Sequence, residues 1–136
     1  MDELIDLLHQ GGYSCVIGKQ GEIRTFHQRG VADLWALCQS EERLLHEAQI
    51  ADKVVGKGAA ALMVYGGVRE VYAEVISKPA LALLQEHGVP ATYHIVTDNI
   101  INRKGDGICP VETLCTQLHS IEDMYNEIGK FINRKA

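Results

Sequence analysis

The spacing of apolar residues at the start of the chain predicts a helix followed by a β-hairpin. Apolar side chains between positions 4 and 8 fall on one helical face, and the glycine pair at 11–12 suits a helix C-terminus. Two β-rich runs, 13–17 and 23–26, flank the loop sequence GKQG at 18–21. This arrangement predicts two antiparallel strands joined by a short glycine-containing loop.

The middle of the chain alternates between short helical and β-rich patterns. One apolar face after Gly30 predicts a helix over 31–38, and Ser40 followed by two glutamates predicts the start of a second short helix. Ala48 to Ala51 is predicted as a strand. The run from Val54 to Tyr65 is apolar on nearly every side, which indicates a buried helix.

The second half of the chain continues the alternation and sets the fold class. Glu70 to Ile76 and Thr92 to Val96 are β-rich, and the helix between them begins at Ser77 and runs to His87. Strand, helix, strand, helix, strand calls for parallel pairing. With the hairpin added, the sequence predicts a single α/β domain over 1–136, with a three-layer α/β/α architecture and a mixed sheet of about five strands.

The remaining segments are a loop and two helices. The stretch 97–108 is polar and glycine-rich, and a connection this long in a small domain is either functional or disordered. Helices are predicted from Pro110 to His119 and from Ile121 to Arg134, the second capped by Ser120.

Composition and charge exclude several classes of protein. The 136 residues are 46% apolar and 23% charged, which is typical of a globular domain. A net charge of −5 argues against non-specific binding to nucleic acid, because neutralising phosphates needs clustered cations. Residues 1–10 lack the basic and apolar regions typical of a secretory signal, no apolar run reaches membrane-spanning length, and the four cysteines form no C-x-x-C pair. We therefore expect a cytoplasmic protein with reduced thiols and no contact with the membrane.

Three local strings carry a resemblance to a known family. DKVVGK from position 52, VYAEV from position 71 and ICPVE from position 108 resemble the family called domain of unknown function 1893, over essentially the whole chain. The order of elements also resembles the cytidine-deaminase-like fold. That resemblance implies a fold and leaves the activity open, because members of the family have no established reaction.

The chain departs from true deaminases at the metal site. Those enzymes bind zinc through a His or Cys and the two cysteines of P-C-x-x-C, beside a glutamate that moves protons. Here Ala80 and Leu83 stand where the cysteines fall if the motifs are aligned, and no H-x-E occurs in the chain. Aliphatic side chains cannot bind a metal, so we expect no metal site and no cofactor.

Two lysines near the predicted buried helix are candidates for binding an anion. Asp52 is interpreted as the cap of that helix, with Lys53 and Lys57 four residues apart on one face of its first turns. Two cations beside the positive end of a helix dipole disfavour each other. Either an anionic ligand or an internal acidic side chain would relieve this repulsion, and the sequence does not decide between them.

The glycines beside Lys57 do not form a phosphate-binding loop. Such a loop needs a glycine five residues before the Gly-Lys pair and a Ser or Thr after it, but the chain has Ala51 and Gly58 there. We interpret Gly56 and Gly58 as positions of tight packing or of close approach to a ligand.

Cys109 is the thiol with the most favourable position for reactivity. It precedes Pro110, a preferred first helical residue, so its sulfur is expected at a helix N-terminus, where the dipole stabilises a thiolate. The alternative is that Cys109 only packs against its neighbours, as most free cysteines do. Glu112, three residues on, would disfavour the thiolate if it lay close and would otherwise serve as a helix-start carboxylate.

These residues combine into two competing hypotheses. In the first, an enzyme or former enzyme binds a small anionic or nucleotide-like molecule where helices start at the strand ends. The catalytic residues would be Asp52 as a base or orienter, Lys57 as an anion contact and Cys109 as a nucleophile. Further ligand contacts would come from Lys53, Gly56, Ser77, Lys78, Asn102 and Arg103. In the second, the chain is a non-catalytic binding or regulatory module with internally paired lysines. The sequence does not settle the oligomeric state.

Overall fold

A mixed sheet forms the centre of the molecule. The computed structural model describes residues 1–27, 31–40, 43–101, 105 and 107–135. Its elements follow one another as α1 (Asp2–Gly11), β1 (Cys15–Lys19), β2 (Glu22–Phe26), α2 (Ala32–Gln39), β3 (Gln49–Val55), α3 (Lys57–Gly66), β4 (Glu70–Ser77), α4 (Lys78–Glu86), β5 (Ala91–Thr97), α5 (Pro110–Cys115) and α6 (Ile121–Lys135). The five strands lie in the order β2-β1-β3-β4-β5, so β2 and β5 are the edges.

Strand directions divide the sheet into an antiparallel and a parallel half. β1 pairs antiparallel with both β2 and β3, whereas β3, β4 and β5 pair in parallel. The helices α3 and α4 make the connections between the parallel strands, as parallel pairing requires. The predicted mixed sheet of about five strands is confirmed.

Helices cover both faces of the sheet. Side chains alternate along a strand, so Val16 points away from its neighbours Cys15 and Ile17. Val16 packs with Leu4 and Leu8 of α1 in a small buried cluster, whereas Cys15 and Ile17 belong to the large core that contains residues of α2 to α6. One helix on one face and the others on the opposite face give the predicted three layers.

The hairpin turn is tighter than the sequence indicated. Gly18 and Lys19 belong to β1, so only Gln20 and Gly21 connect the strands. Both have positive φ, 51° and 85°. A two-residue turn of this kind matches the twist of paired strands, which explains why the predicted four-residue loop is wrong.

The boundary between β3 and α3 differs from the prediction, and the difference affects the candidate site. β3 does not end at Ala51 but continues to Val55, because register pairing with β4 extends from Gln49↔Glu70 to Val55↔Ile76. α3 consequently begins at Lys57 instead of Val54. Lys53 therefore lies in a strand, where we had expected the first turn of a helix.

Two predicted helices are altered and one cap is confirmed. The described part of the short helix expected after Ser40 consists of turns, with positive φ at Arg43 and Glu47. α5 ends at Cys115, four residues before the predicted end. Ser120 caps α6 as predicted: its hydroxyl accepts from the Asp123 N–H at 3.2 Å. Within the described residues, no helix combines the length and the apolar character needed to cross a membrane.

Candidate functional site

Two helices begin side by side at the carboxyl ends of the parallel strands. α3 starts at Lys57 just after β3, and α4 starts at Lys78 directly after β4. The Ser77 hydroxyl caps α4 by accepting a hydrogen bond from the Ala80 N–H at 3.3 Å, as the sequence predicted. Because the first N–H groups of a helix lack intrahelical partners and carry the positive end of its dipole, this edge of the sheet favours an anion.

The Glu112 carboxylate lies at this edge and binds three segments. Its Oε1 accepts hydrogen bonds from the Lys57 N–H at 3.3 Å and from the Ser77 hydroxyl, and its Oε2 accepts one from the Ile100 N–H. The side chain is only 1% exposed. A single carboxylate from α5 thus joins the start of α3, the end of β4 and the segment that follows β5.

These contacts explain how a carboxylate is tolerated inside the protein. Burying a charge is costly unless hydrogen bonds replace the lost water, and Glu112 receives bonds from two backbone N–H groups and one hydroxyl. Hydrogen bonds to an ionised acceptor are the strongest that neutral donors make. The anion that the two helix starts favour is therefore supplied by the chain itself.

Gly56 and Gly58 allow the close packing of this region. A Cβ atom on Gly56 would lie 3.1 Å from Ile100 Cγ1 and 3.6 Å from the carboxyl carbon of Glu112. On Gly58 it would lie 2.3 Å from Val111 Cγ1, a clash that α5 would have to move to avoid. The predicted tight packing is confirmed at both positions, and at Gly56 it includes a close approach to the buried carboxylate.

The Lys57 side chain is held by the carbonyl groups that follow α5. Its Nζ donates to Leu118 O at 3.1 Å and lies 3.5 Å from Thr116 O. A cavity of about 190 Å³ lies beside it, lined in part by Pro79, Leu118 and His119. Lys57 is thus internally paired, although with carbonyl oxygens and not with the acidic side chain that the sequence had suggested.

The proposed pair of lysines on one helical face is wrong. Lys53 is an exposed residue of β3, while Lys57 is the half-buried first residue of α3. The predicted repulsion at a shared helix start therefore does not arise. Asp52 likewise does not cap the helix, because it lies within β3 and the N-cap of α3 is Gly56.

Asp52 occupies a second buried site, inside the sheet. It pairs in register with Cys15 of β1 and Ala73 of β4, and it is 9% exposed. Its Oδ1 accepts a 3.3 Å hydrogen bond from the Val54 N–H. Burial raises the pKa of this carboxyl to about 7, an effect that hydrogen bonds from the Val54 and Lys53 backbone partly offset.

The Asp52 site is separate from the Glu112 site. Four residues of extended chain between Asp52 and Gly56 span roughly 13 Å. Burial, together with the charges of Asp52 and Asp33, raises the pKa of the Cys15 thiol well above its usual value. The structure thus places Asp52 opposite the Cys15 thiol and away from the Glu112 carboxylate.

Cys109 takes the helix-start position that the sequence indicated. It is the N-cap residue of α5, half-buried and unpaired with another cysteine. Its backbone N–H donates to Ile100 O at 2.7 Å, and its carbonyl accepts from the Thr113 N–H at 3.0 Å. The placement of Cys109 is confirmed, whereas its reactivity stays a prediction.

The remaining candidates lie apart from Glu112 or outside the description. Lys78 is exposed and forms an ion pair with Asp98, with Nζ and Oδ1 2.9 Å apart. This partner raises the pKa of Lys78 and lowers the pKa of Asp98. Asn102 and Arg103 fall outside the residues that the structure describes, so their predicted contacts stay predictions.

The described residues offer no group for a metal. Among them, no three His, Cys, Asp or Glu side chains are grouped closely enough to hold an ion. Ala80 and Leu83 are buried in the core.

The sequence did not reveal the role of Glu112 as the central residue. From the sequence, Glu112 was expected either to disfavour the Cys109 thiolate or to be a helix-start carboxylate, and contacts with Lys57, Ser77 and Ile100 were not expected. The sequence did contain a signal. An acidic residue in the first turn after Pro110 is common when the turn is exposed, but it needs hydrogen-bond donors from the protein if the helix is buried. The inward packing follows from the apolar positions Val111 and Cys115 on either side, which are both buried.

Comparisons with known proteins agree with this description. The fold and site define an α/β protein with a mixed five-stranded sheet and a buried carboxylate at the ends of its parallel strands. The chain belongs to the TM1506 family, a domain of unknown function (DUF1893), whose model matches residues 3–132. No curated protein matches it.

A solved structure of the same family shares the fold. It is the crystal structure of a DUF1893 family protein (TM1506) from Thermotoga maritima, which is 23% identical to this chain. The similarity covers 95% of this chain and 87% of that one, with a TM-score of 0.87. The family resemblance seen in the sequence is thereby confirmed, and the shared fold extends over nearly the whole molecule.

Proposed function

We propose that this protein is a non-catalytic binding or regulatory module whose strand-end site is occupied by its own Glu112 carboxylate. The observation that carries the proposal is the set of three donors, from Lys57, Ser77 and Ile100, that converge on one buried side chain. A ligand anion at this place would have to displace that side chain and break all three hydrogen bonds. The displaced Glu112 carboxylate, which is buried, would then lose its hydrogen-bond donors, which is unfavourable.

The proposal includes a relationship to the cytidine-deaminase-like fold without its zinc. The strand order and the two adjacent helix starts support the relationship. At those helix starts this chain has Lys57, Lys78 and the Glu112 carboxylate. These residues do not form the set of zinc ligands that activates a water molecule in deaminases. A cytoplasmic location is also part of the proposal, supported by four unpaired cysteines.

Rescue by small carboxylates tests whether Glu112 occupies an anion site. In Glu112→Ala the three donors face a cavity, so formate or acetate is expected to raise the melting temperature in proportion to the logarithm of its concentration. Wild type and Glu122→Ala, an exposed change in the first turn of α6, should not respond. If Glu112→Ala folds only when formate is present, this result also supports the proposal that Glu112 occupies an anion site. If Glu112→Ala responds no more than the controls, the proposal loses its support.

A second candidate function rests on the cavity beside Lys57. Lys57 and His119 line it, and a small phosphate or carboxylate fits its volume of about 190 Å³. In this case, phosphate, sugar phosphates or nucleotides should stabilise wild type, and Lys57→Met should abolish the effect. Stabilisation of both proteins would place the ligand elsewhere, and stabilisation of neither would leave only the non-catalytic proposal.

A further inference from the structure

The two edges of the sheet differ in their side chains. On β2 the exposed residues include Glu22 and Arg24, and charged side chains on an edge strand discourage pairing with another chain. β5 contains no Asp, Glu, Lys or Arg, yet every residue from 92 to 96 is exposed. Tyr93 is 44% exposed and Ile95 is 46% exposed. One edge is therefore protected against strand addition and the other is open to it.

The outer side of β5 presents backbone hydrogen-bonding groups that can pair with another strand. β5 pairs with β4 on one side, and within the described ranges no strand pairs with its other side. The N–H and C=O groups on that side form a row that only another extended strand can match group for group. The occupant of this edge must therefore be a strand.

Apolar side chains continue inward from the edge. Ile95 pairs in register with Val75, which pairs with Val54 on the next strand. Val54 is 43% exposed and Ile95 is 46% exposed, so the row from Ile95 through Val75 to Val54 stays partly accessible on one face of the sheet. Burial of such a contiguous apolar surface is favourable, whereas monomeric proteins seldom leave long apolar edge strands uncovered.

We infer that the β5 edge pairs with β5 of a second copy of this chain, in antiparallel orientation about a two-fold axis at His94. The sequence around this axis is self-complementary, because Tyr93 of one copy faces Ile95 of the other and Thr92 faces Val96. Aromatic residues opposite β-branched ones are favourable cross-strand pairs. The dimer has one continuous sheet of ten strands, twice the five strands of the monomer.

Charge makes this edge the least costly place for two copies to meet. The chain carries a net charge of −5, so two copies repel each other on average, and contact is least costly where neither contributes a charged side chain. β5 is such a strand. The two-fold arrangement also closes the assembly, because each copy uses its β5 once and the outer β2 edges are charged. A separate peptide strand is the other chemically possible occupant, and the experiment distinguishes it.

Sedimentation equilibrium over a concentration series tests the inference with a matched pair of variants. Wild type is expected to be a dimer, and Ile95→Lys is expected to raise the dissociation constant by about 100-fold, because the substitution puts a lysine on both sides of the interface. Ile23→Lys is the control, since Ile23 is 38% exposed on the opposite edge strand. A monomeric wild type at every concentration overturns the inference and leaves a peptide as occupant. Equal effects of the two variants overturn it as well.

Hydrogen exchange supplies a readout that needs no mutation. In wild type, the amides of peptides covering 91–97 should exchange more slowly as the protein concentration rises, whereas those covering 22–26 should not change. Circular dichroism shows whether the variants are folded. Exchange in 91–97 that is independent of concentration contradicts the dimer even if Ile95→Lys fails to fold.

Discussion

Asp52 and Glu112 are both buried carboxylates, but they lie in different surroundings. Glu112, at the strand ends, accepts hydrogen bonds from Lys57, Ser77 and Ile100. Asp52, in the middle of the sheet, has backbone donors on its own strand and lies opposite the Cys15 thiol. Burial raises the pKa of Asp52 to about 7 despite those donors.

The comparison shows that burial alone does not decide what a carboxylate does. A carboxylate whose donors come from three separate segments holds those segments together. A buried carboxylate whose hydrogen-bond donors lie on its own strand does not link separate segments. The cost of desolvation then dominates and raises its pKa. Glu112 therefore links three segments of the chain, whereas Asp52 is a carboxyl whose pKa burial raises to about 7.

The largest expected effect is the loss of the Glu112 carboxylate. Glu112→Ala should lower the free energy of unfolding by about 4 kcal/mol, because it removes a buried network member and leaves its donors unpaired. Urea denaturation measures the change. The exposed Glu122→Ala should differ little from wild type. A loss for Glu112→Ala as small as that of the control contradicts the assignment of Glu112 as the central anion.

The titration of Asp52 should appear in the pH dependence of stability. The folded carboxyl holds its proton up to pH of about 7, whereas the unfolded one releases it near its ordinary pKa of 3.8. The folded state thus binds more protons within this window, so the contribution of Asp52 to stability falls as pH rises from 3.8 to about 7.

Asp52→Asn removes this loss and keeps an oxygen to accept from the Val54 N–H. Relative to wild type, the variant should gain about 3–4 kcal/mol between pH 4 and pH 8. Urea denaturation at several pH values measures the difference, with the exposed Asp6→Asn as control. A difference between Asp52→Asn and wild type that does not change with pH would show that Asp52 is ionised throughout.

The smallest expected change in stability comes from removing a helix cap. Comparing Ser77, which caps α4 and also binds Glu112, with Ser120, which caps α6, measures what the bond to Glu112 contributes. Ser77→Ala should cost about 1–2 kcal/mol, because the hydroxyl both accepts from the Ala80 N–H and donates to the carboxylate. Ser120→Ala removes a similar cap from α6, where the structure gives no bond to Glu112, and should cost about 1 kcal/mol. Equal losses in the two variants would mean that the bond between Ser77 and Glu112 contributes little.

Local patterns in the sequence predicted most of the elements. The apolar spacing of α1 and its end at Gly12, the cap at Ser77 and the cap at Ser120 each depend on a few neighbouring residues. The parallel order of β3, β4 and β5 also followed from the sequence, because alternating strands and helices permit few connections. Such features need no knowledge of distant contacts.

The sequence by itself determined the fold class, the family and the positions of most elements, because these follow from periodicity, caps and local strings. Only the tertiary structure decided that Lys53 belongs to a strand, since pairing with β4 extended β3 beyond its local signal. It also decided that Glu112 reaches Lys57 and Ser77, which lie 55 and 35 residues away. Contacts over such separations depend on how the elements pack, and no local pattern records them.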